Sequence, residues 1–211
     1  MERRVVIIED DRQHAGKHGN KHEVWDALGV PYLSRDEMIK LDFGDYVRGF
    51  EDGTLDPGSN LSVDSKRSLS EVSANLGREH ERFKREVKRA NEAGYLLVVL
   101  VETDEATCVE DVRGWVNSHC RHCKHFYHKE CDPRDGSTVC LKHGTKPPLQ
   151  GETMAKQMAT MQASRNVRFE FVKPEDSALR ICELLGVEHG EDIEGDTDDV
   201  SRHRVQEQAR S

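Results

Sequence analysis

The chain has 211 residues, 35% of them hydrophobic and 34% charged, with a formal net charge of −9; this length allows one domain, or one domain with a small appendage, and the composition stays short of the disordered regime. No apolar run approaches the roughly 18 residues of a membrane span: the longest, Tyr95 to Val101, is strand-sized, and the stretch from Met1 to Val5 has nothing of a secretory signal. The expectation is a cytoplasmic, intracellular protein with no membrane contact, and the overall charge, taken whole, speaks against a nucleic-acid partner.

In chain order, Val5-Val6-Ile7-Ile8 followed by Glu9-Asp10-Asp11 predicts a buried strand ending in acids. Lys21 to Leu28 predicts a short helix closed by Gly29, and Ser34-Arg35-Asp36-Glu37 has the form of a capping box that opens another helical turn. Phe43 to Val47 and Leu61 to Lys66 predict two strands, joined by a stretch rich in turn residues (Gly49, Asp52-Gly53, Pro57-Gly58). Ser68-Leu69-Ser70-Glu71 is a second capping box. It begins a helical pattern at Leu69, Val72, Leu76, Phe83, Val87 and Ala90, with a break expected at Gly77 and an end at Gly94. Tyr95 to Val101 is apolar on both faces and so belongs in the middle of a sheet. Residues 106–150 are rich in Cys and His and poor in aliphatics. A helix carrying Met154, Met158 and Met161 follows, then a strand from Val167 to Val172. The last helix comes after Pro174, with Leu179, Cys182 and Leu185 on one face and Gly186 as its stop. Alternating strands and helices predict an α/β domain interrupted by an insertion.

The charge is unevenly placed along this order. Val187 to Ser211 holds eight acids and three arginines, a share of −5, and reads as a disordered acidic tail. Lys66 to Arg89 and Arg113 to Leu149 each carry a local +4. The sign of the whole therefore hides two basic stretches.

The pattern richest in chemistry is Asp45 followed by Val63-Asp64-Ser65-Lys66. On a strand, residues two apart share a face, so Asp64 and Lys66 project together, and Asp45 on the preceding strand can lie beside them. Two converging carboxylates repel each other; a hard divalent cation such as Mg²⁺ or Mn²⁺ resolves the conflict, with the Ser65 main-chain carbonyl or Asp10 as a further ligand. This is the PD-(D/E)xK arrangement of phosphodiester cleavage, in which Lys66 would assist the attacking water or the transition state. The plain alternative is a surface ion pair on an edge strand.

The succession Ile7-Ile8-Glu9-Asp10-Asp11-Arg12-Gln13, then Gly44-Asp45-Tyr46, then Val63-Asp64-Ser65-Lys66 resembles the XPF/Mus-type nuclease domain family (the excision-repair cross-complementation group four domain) of the PD-(D/E)xK superfamily. The consensus there is a hydrophobic strand with Asp-x-Arg-Glu, then Gly-Asp-Tyr, then Val-Glu-Arg-Lys. The helix with Arg82-Phe83 and the strand ending Leu100-Val101-Glu102 also fall where that family has a helix and a Leu-(Ile/Val)-Glu strand. The likeness covers residues 4–103 and, more loosely, 151–186, and is nearest to small stand-alone members carried by phages and prophages. It implies a restriction-endonuclease-like mixed central sheet flanked by helices. It also implies a Mg²⁺-dependent DNA endonuclease of repair, recombination or phage DNA metabolism, in a bacterium or a phage-infected host. Catalytic roles would fall to Asp45, Asp64, Lys66, Asp10 and Arg12. Three departures stand out: Gln13 and Asp64 where the consensus has Glu, and Ser65 where it has Arg. The tandem helix-hairpin-helix module of many relatives is absent, so branched or flapped DNA as the partner, and a homodimeric state, rest on analogy.

Lys17, Lys21, Arg67, Arg78, Arg82 and Arg85 are the candidates for holding DNA phosphates. Four residues keep two readings. Glu71 could be a cap or a contributor to the site, His18 and His22 could meet phosphates or form a solvated face, and Glu102 could join the site or cap the next segment.

In the insertion, Cys120-x₂-Cys123, Cys131 and Cys140 suggest a structural Zn²⁺, with His143 or His128 as substitute ligands. A segment so poor in aliphatics needs such a staple, whereas Cys182 sits on an apolar helix face and reads as core. Arg121, Lys124, Lys129, Lys142 and Lys146 around these ligands could meet DNA backbone or simply keep the module soluble. The expected organisation is a nuclease core over 1–105 and 151–187, a zinc-binding insertion over 106–150 and a tail over 188–211. A catalytically inactive DNA-binding or assembly factor with the same fold and zinc module is the alternative, to which Gln13 is the one hint. A zinc-dependent transcriptional regulator ranks lower, for want of a helix-turn-helix signal.

Overall fold

The computed structural model describes residues 3–10, 19–34, 39–127, 140 and 147–188. Arg35, Asp36 and Glu37 of the expected capping box, the positions Arg12, Gln13, Lys17 and His18, and the acidic tail beyond 188 lie outside these residues. The described chain is a mixed α/β structure. In order it forms β1 (Val5–Glu9), α1 (Gly19–Ala27), β2 (Tyr32–Leu33), β3 (Tyr46–Phe50), β4 (Leu61–Lys66), α2 (Leu69–Leu76), α3 (His80–Glu92) and β5 (Leu96–Glu102). The short helices α4 (Ser118–Arg121) and α5 (Lys124–Tyr127) follow, and α6 (Gly151–Ser164), β6 (Val167–Val172) and α7 (Ser177–Leu185) complete it. No helix among the described residues is long and apolar enough to cross a membrane.

The strands form one six-stranded sheet in the order β2-β1-β3-β4-β5-β6. β1 pairs parallel with β2 and antiparallel with β3, β3 is antiparallel to β4, and β4, β5 and β6 run parallel to one another. Every strand except β3 therefore points the same way. The C-terminal ends of β1, β4, β5 and β6 meet the N-terminal end of β3 along one edge, the side on which open α/β sheets gather their ligands.

β5 reads Leu-Leu-Val-Val-Leu-Val-Glu and is buried on both faces, as its unbroken apolar run requires of a central parallel strand. One face lies under α2, α3 and α6, where Leu69, Val72, Phe83, Val87, Met154 and Met158 pack on Leu97, Val99 and Val101. The other lies under α1 and α7, where Trp25, Ile181 and Leu185 pack on Ile7, Tyr46, Val63 and Leu100. Trp25 fixes the seam between those two helices by donating from Nε1 to the Ala178 carbonyl at 3.0 Å. In α7 the buried residues are Ser177, Ala178, Ile181, Cys182 and Leu185. Leu179 is only half-buried, contrary to its expected place on the core face, because the apolar stripe is centred one position round the helix.

The helical pattern from Leu69 to Ala90 is interrupted at Gly77, as expected, into α2 and α3. Ser68 caps α2 by accepting from the Glu71 amide at 3.3 Å, and Glu71 reaches back to the Arg67 amide at 3.0 Å, one residue earlier than in a standard capping box. The strand expected over Phe43 to Val47 begins instead at Tyr46. Gly44 explains the shift. It turns at φ +69°, and a Cβ there would sit 2.1 Å from Ser62 Oγ.

The Cys/His-rich stretch is joined to the rest at its two ends. Val112 and Trp115 are buried with the α2–α3–α6 core. The Gly151 amide donates to the Trp115 carbonyl at 3.0 Å, and a Cβ on Gly151 would fall 2.0 Å from the Val112 carbonyl. Asn117 Nδ2 donates to Ser73 Oγ at 3.0 Å, and that hydroxyl donates to the Leu149 carbonyl at 2.9 Å.

Candidate active site

The sheet pairing sets Asp64 and Lys66 opposite Val99 and Val101, on the face covered by α2 and α3, at the end of β4. Both are buried, Asp64 to 2% and Lys66 to 7% exposure, and Lys66 Nζ donates to Asp64 Oδ1. Asp64 Oδ2 is also buried and has no hydrogen-bond partner among the described residues. A carboxylate oxygen in that position is costly unless something neutralises it.

Asp45, half-buried just before β3, accepts the Ser65 amide on Oδ2 at 2.9 Å. Its own amide donates to the Val63 carbonyl at 2.7 Å, and its carbonyl accepts the Asp10 amide at 2.9 Å. Asp45 therefore ties the ends of β1 and β4 together where the β3 ladder stops. Asp10 is buried and accepts the Leu41 amide at 3.0 Å. The sheet thus sets Asp45 beside the buried Asp64–Lys66 pair, and Asp10 joins them through its backbone amide, its carboxylate accepting the Leu41 amide.

Two helical glutamates complete the surroundings. Glu86 of α3 accepts the Gly44 amide at 3.1 Å, next to Asp45. Glu71 at the start of α2 lies near enough to raise the Asp64 pKa. Glu86 was not anticipated. It sits amid the charges of Arg-Phe-Lys-Arg-Glu-Val-Lys-Arg, but it is three residues after Phe83 and four before Ala90, so it flanks the buried stripe of its helix, and that position was the available signal.

Burial pushes the Asp64 carboxyl up to about 6; Lys66 opposes the rise, while Asp45 and Glu71 add to it. For Lys66, burial favours the neutral amine but is outweighed by Asp64, Asp45 and Glu86, so its pKa is raised and the side chain is a cation. Glu86 is also raised, by burial and by Asp64, against the pull of Lys66, the Gly44 amide and Arg82. Burial first, and repulsion between the carboxylates second, raise both acids, with Lys66 pulling the other way.

On the opposite face of the same edge, Glu9 of β1 meets His22 Nε2 at 2.8 Å, and His22 stacks on Tyr32 with ring centroids 4.8 Å apart. Burial raises the Glu9 carboxyl against the pull of His22 and Lys21. Lys21, expected to face phosphates, turns inward: it is 5% exposed and its Nζ lies 2.5 Å from Glu102 Oε1. An acid at the end of β5 and a lysine on α1 find each other inside the protein, which removes Lys21 from the DNA-facing set.

The other basic candidates are on the surface. Arg67, Arg78, Arg82 and Arg85 are exposed, and Arg82 pairs with Glu79 at 2.9 Å. Arg12 and Lys17 lie outside the described residues. In the insertion, Cys120, Cys123 and Cys140 are buried, and the Cys123 amide donates to the Cys120 carbonyl at 3.0 Å, which closes a tight turn between the two cysteines. Gln150 Nε2 donates to Cys120 Sγ at 3.2 Å. Among the described residues no three metal-binding side chains converge; Cys131, His128 and His143 lie outside them.

The fold and site together define an α/β protein with a buried carboxylate–lysine centre at the C-terminal edge of its sheet. Neither a protein-family model nor a curated protein matches the chain. Among solved structures, it is similar to XPF from Aeropyrum pernix at 14% identity and a TM-score of 0.47, over 96% of this chain and 68% of that one. At that TM-score the match decides neither fold nor activity, and the geometry stands by itself.

Proposed function

We propose that the chain is a metal-dependent deoxyribonuclease with a restriction-endonuclease-like core, hydrolysing phosphodiester bonds. The observation that carries the reading is Asp64: a buried carboxylate with one oxygen on Lys66, the other without a partner among the described residues, and Asp45 beside it. The donors are hard oxygens, which suits Mg²⁺ or Mn²⁺. Asp45, Asp64 and the Ser65 main-chain carbonyl would hold the ion. When bound, it supplies Lewis acidity, lowering the pKa of water and offsetting charge on the phosphoryl oxygens.

The chain's own groups do the rest. Lys66 presents a fixed positive charge where the attacking water and the transition state develop negative charge. Glu86 holds the Gly44–Asp45 turn through the Gly44 amide. Arg67, Arg82 and Arg85, exposed on and beside the helices that border the site, would engage the flanking phosphates, with Arg12 as a further phosphate contact. Branched or flapped DNA, of the kind met in repair, recombination or phage DNA metabolism, is the substrate class that the family resemblance suggests by analogy. A structural Zn²⁺ on Cys120, Cys123, Cys131 and Cys140 belongs to the same proposal; its support is the tight turn between Cys120 and Cys123 and the amide of Gln150 aimed at a sulfur.

Incubating labelled flap, fork, junction and linear DNAs with Mg²⁺ or Mn²⁺, beside Asp64→Ala, tests the proposal. Cleavage by the wild type alone is expected. Binding without cleavage across the whole panel would replace the enzyme with the inactive DNA-binding factor.

A further inference from the structure

Under α1, on the face of the sheet opposite Asp64, a second polar group of residues is buried, and the site as described so far does not use it. Lys21 Nζ donates to Glu102 Oε1 at 2.5 Å, and Ser65 Oγ donates to the same oxygen at 2.5 Å. All three residues are sequestered, Ser65 completely and Glu102 to 7% exposure. The Ser65 amide in turn donates to Asp45 Oδ2. We propose that Lys21 and Glu102 are positioning residues for the carboxylate centre, acting through Ser65; this rests on the nuclease reading.

The path is continuous. An ammonium on α1 fixes a carboxylate at the end of β5, the carboxylate fixes the Ser65 hydroxyl, and the Ser65 amide fixes Asp45. Ser65 lies between Asp64 and Lys66, so the tilt of its backbone sets the direction of both neighbours across the sheet. The β3–β4 register stops at Tyr46↔Val63, so at Ser65 no residue of β3 is paired across from the strand. On that side the Asp45 carboxylate takes the Ser65 amide, and on the other β5 pairs at Leu100. A side-chain anchor at Ser65 therefore acts on the stretch of β4 that the ladder holds from one side only.

Stability alone is a weak motive for this arrangement. Apolar residues of similar size commonly stabilise such a place as well as or better than a buried ion pair. What an ion pair supplies and a methylene does not is a fixed oxygen, and this one accepts two short hydrogen bonds from two different elements.

The test uses the full chain with Ser65→Ala, Lys21→Met and Lys21→Arg. Mn²⁺ affinity is measured by calorimetry without DNA, kcat and KM on a DNA that the wild type cuts, and folding by thermal melting. Ser65→Ala and Lys21→Met should weaken Mn²⁺ binding and lower kcat by about 10–100-fold, the usual effect of losing a group that orients a metal ligand. KM for DNA should stay unchanged, and Lys21→Arg should recover most of the loss. Ser65→Ala removes one hydroxyl and decides the matter even if Lys21→Met fails to fold. Folded variants that bind Mn²⁺ and turn over like an active wild type would overturn this inference alone. A wild type that neither binds Mn²⁺ nor cuts DNA would overturn the nuclease reading, and this one with it.

Discussion

Replacing Asp64 with asparagine should change the way folding stability depends on pH, and burial dictates the sign. The Asp64 carboxyl titrates at about 6 in the folded protein against an ordinary 3.8, because burial outweighs the pull of Lys66. Between those two values the folded state binds more protons than the unfolded chain. Its contribution is therefore fully present below the unfolded value and is lost as pH rises through the folded one. At about 1.4 kcal/mol per pH unit, the loss amounts to about 3 kcal/mol across the window. Urea denaturation in EDTA at several pH values from 4 to 8, run on wild type and Asp64→Asn together, reads the contribution of Asp64 together with the part of the Glu86 shift that Asp64 causes. The stability difference should move by about 2 kcal/mol in favour of asparagine between pH 4 and pH 7, since pH 4 already lies above the unfolded value. Added Mg²⁺ should close much of that gap in the wild type by binding only the folded form. Parallel pH profiles for the two proteins would refute the claim that Asp64 is held in a desolvated, carboxylate-crowded place.

Lys66→Met should abolish cleavage and destabilise the protein by about 3–5 kcal/mol at pH 8, because it leaves a buried carboxylate without its cation. The loss should shrink at pH 5, where Asp64 is mostly neutral, and an equal loss at both pH values would contradict the assignment. Gly151→Ala places a methyl 2.0 Å from the Val112 carbonyl and 2.6 Å from that of Trp115. It should cost about 1–3 kcal/mol, readable as a lower melting temperature. Trp25→Phe removes the donor to the Ala178 carbonyl, and about 1–3 kcal/mol of stability should go with it, measured by denaturant titration.

Much of the frame was legible because it is written locally. The apolar run of β5, the capping residues of α2, the break at Gly77 and the spacing of Asp64 and Lys66 each depend on neighbours within a few residues. The centre's first members, Asp45, Asp64 and Lys66, were legible for the same reason, once two strands were assumed to pair. The missing parts are non-local. Lys21 and Glu102 meet across 81 positions of chain, and nothing near Lys21 distinguishes it from a solvated lysine. Glu86 was concealed by charges on either side of it, and only the packing of α3 turns it inward. The start of β3 was misplaced because Phe43 is as apolar as a strand residue; it is the Gly44 turn, set by close approach to Ser62, that delays the ladder to Tyr46.

The junction at Trp115 and Gly151 has one more consequence. Two backbones 35 residues apart by the intervening stretch 116–150 meet through a single amide-to-carbonyl bond, beside the Ser73–Asn117 and Ser73–Leu149 contacts. The chain between them starts and finishes at adjoining points, so its length is decoupled from the register of the sheet. Loop closure depends only weakly on how many residues are enclosed. The stretch is thus a graft point: it can be enlarged, trimmed or exchanged while the strands that carry Asp45, Asp64 and Lys66 keep their places.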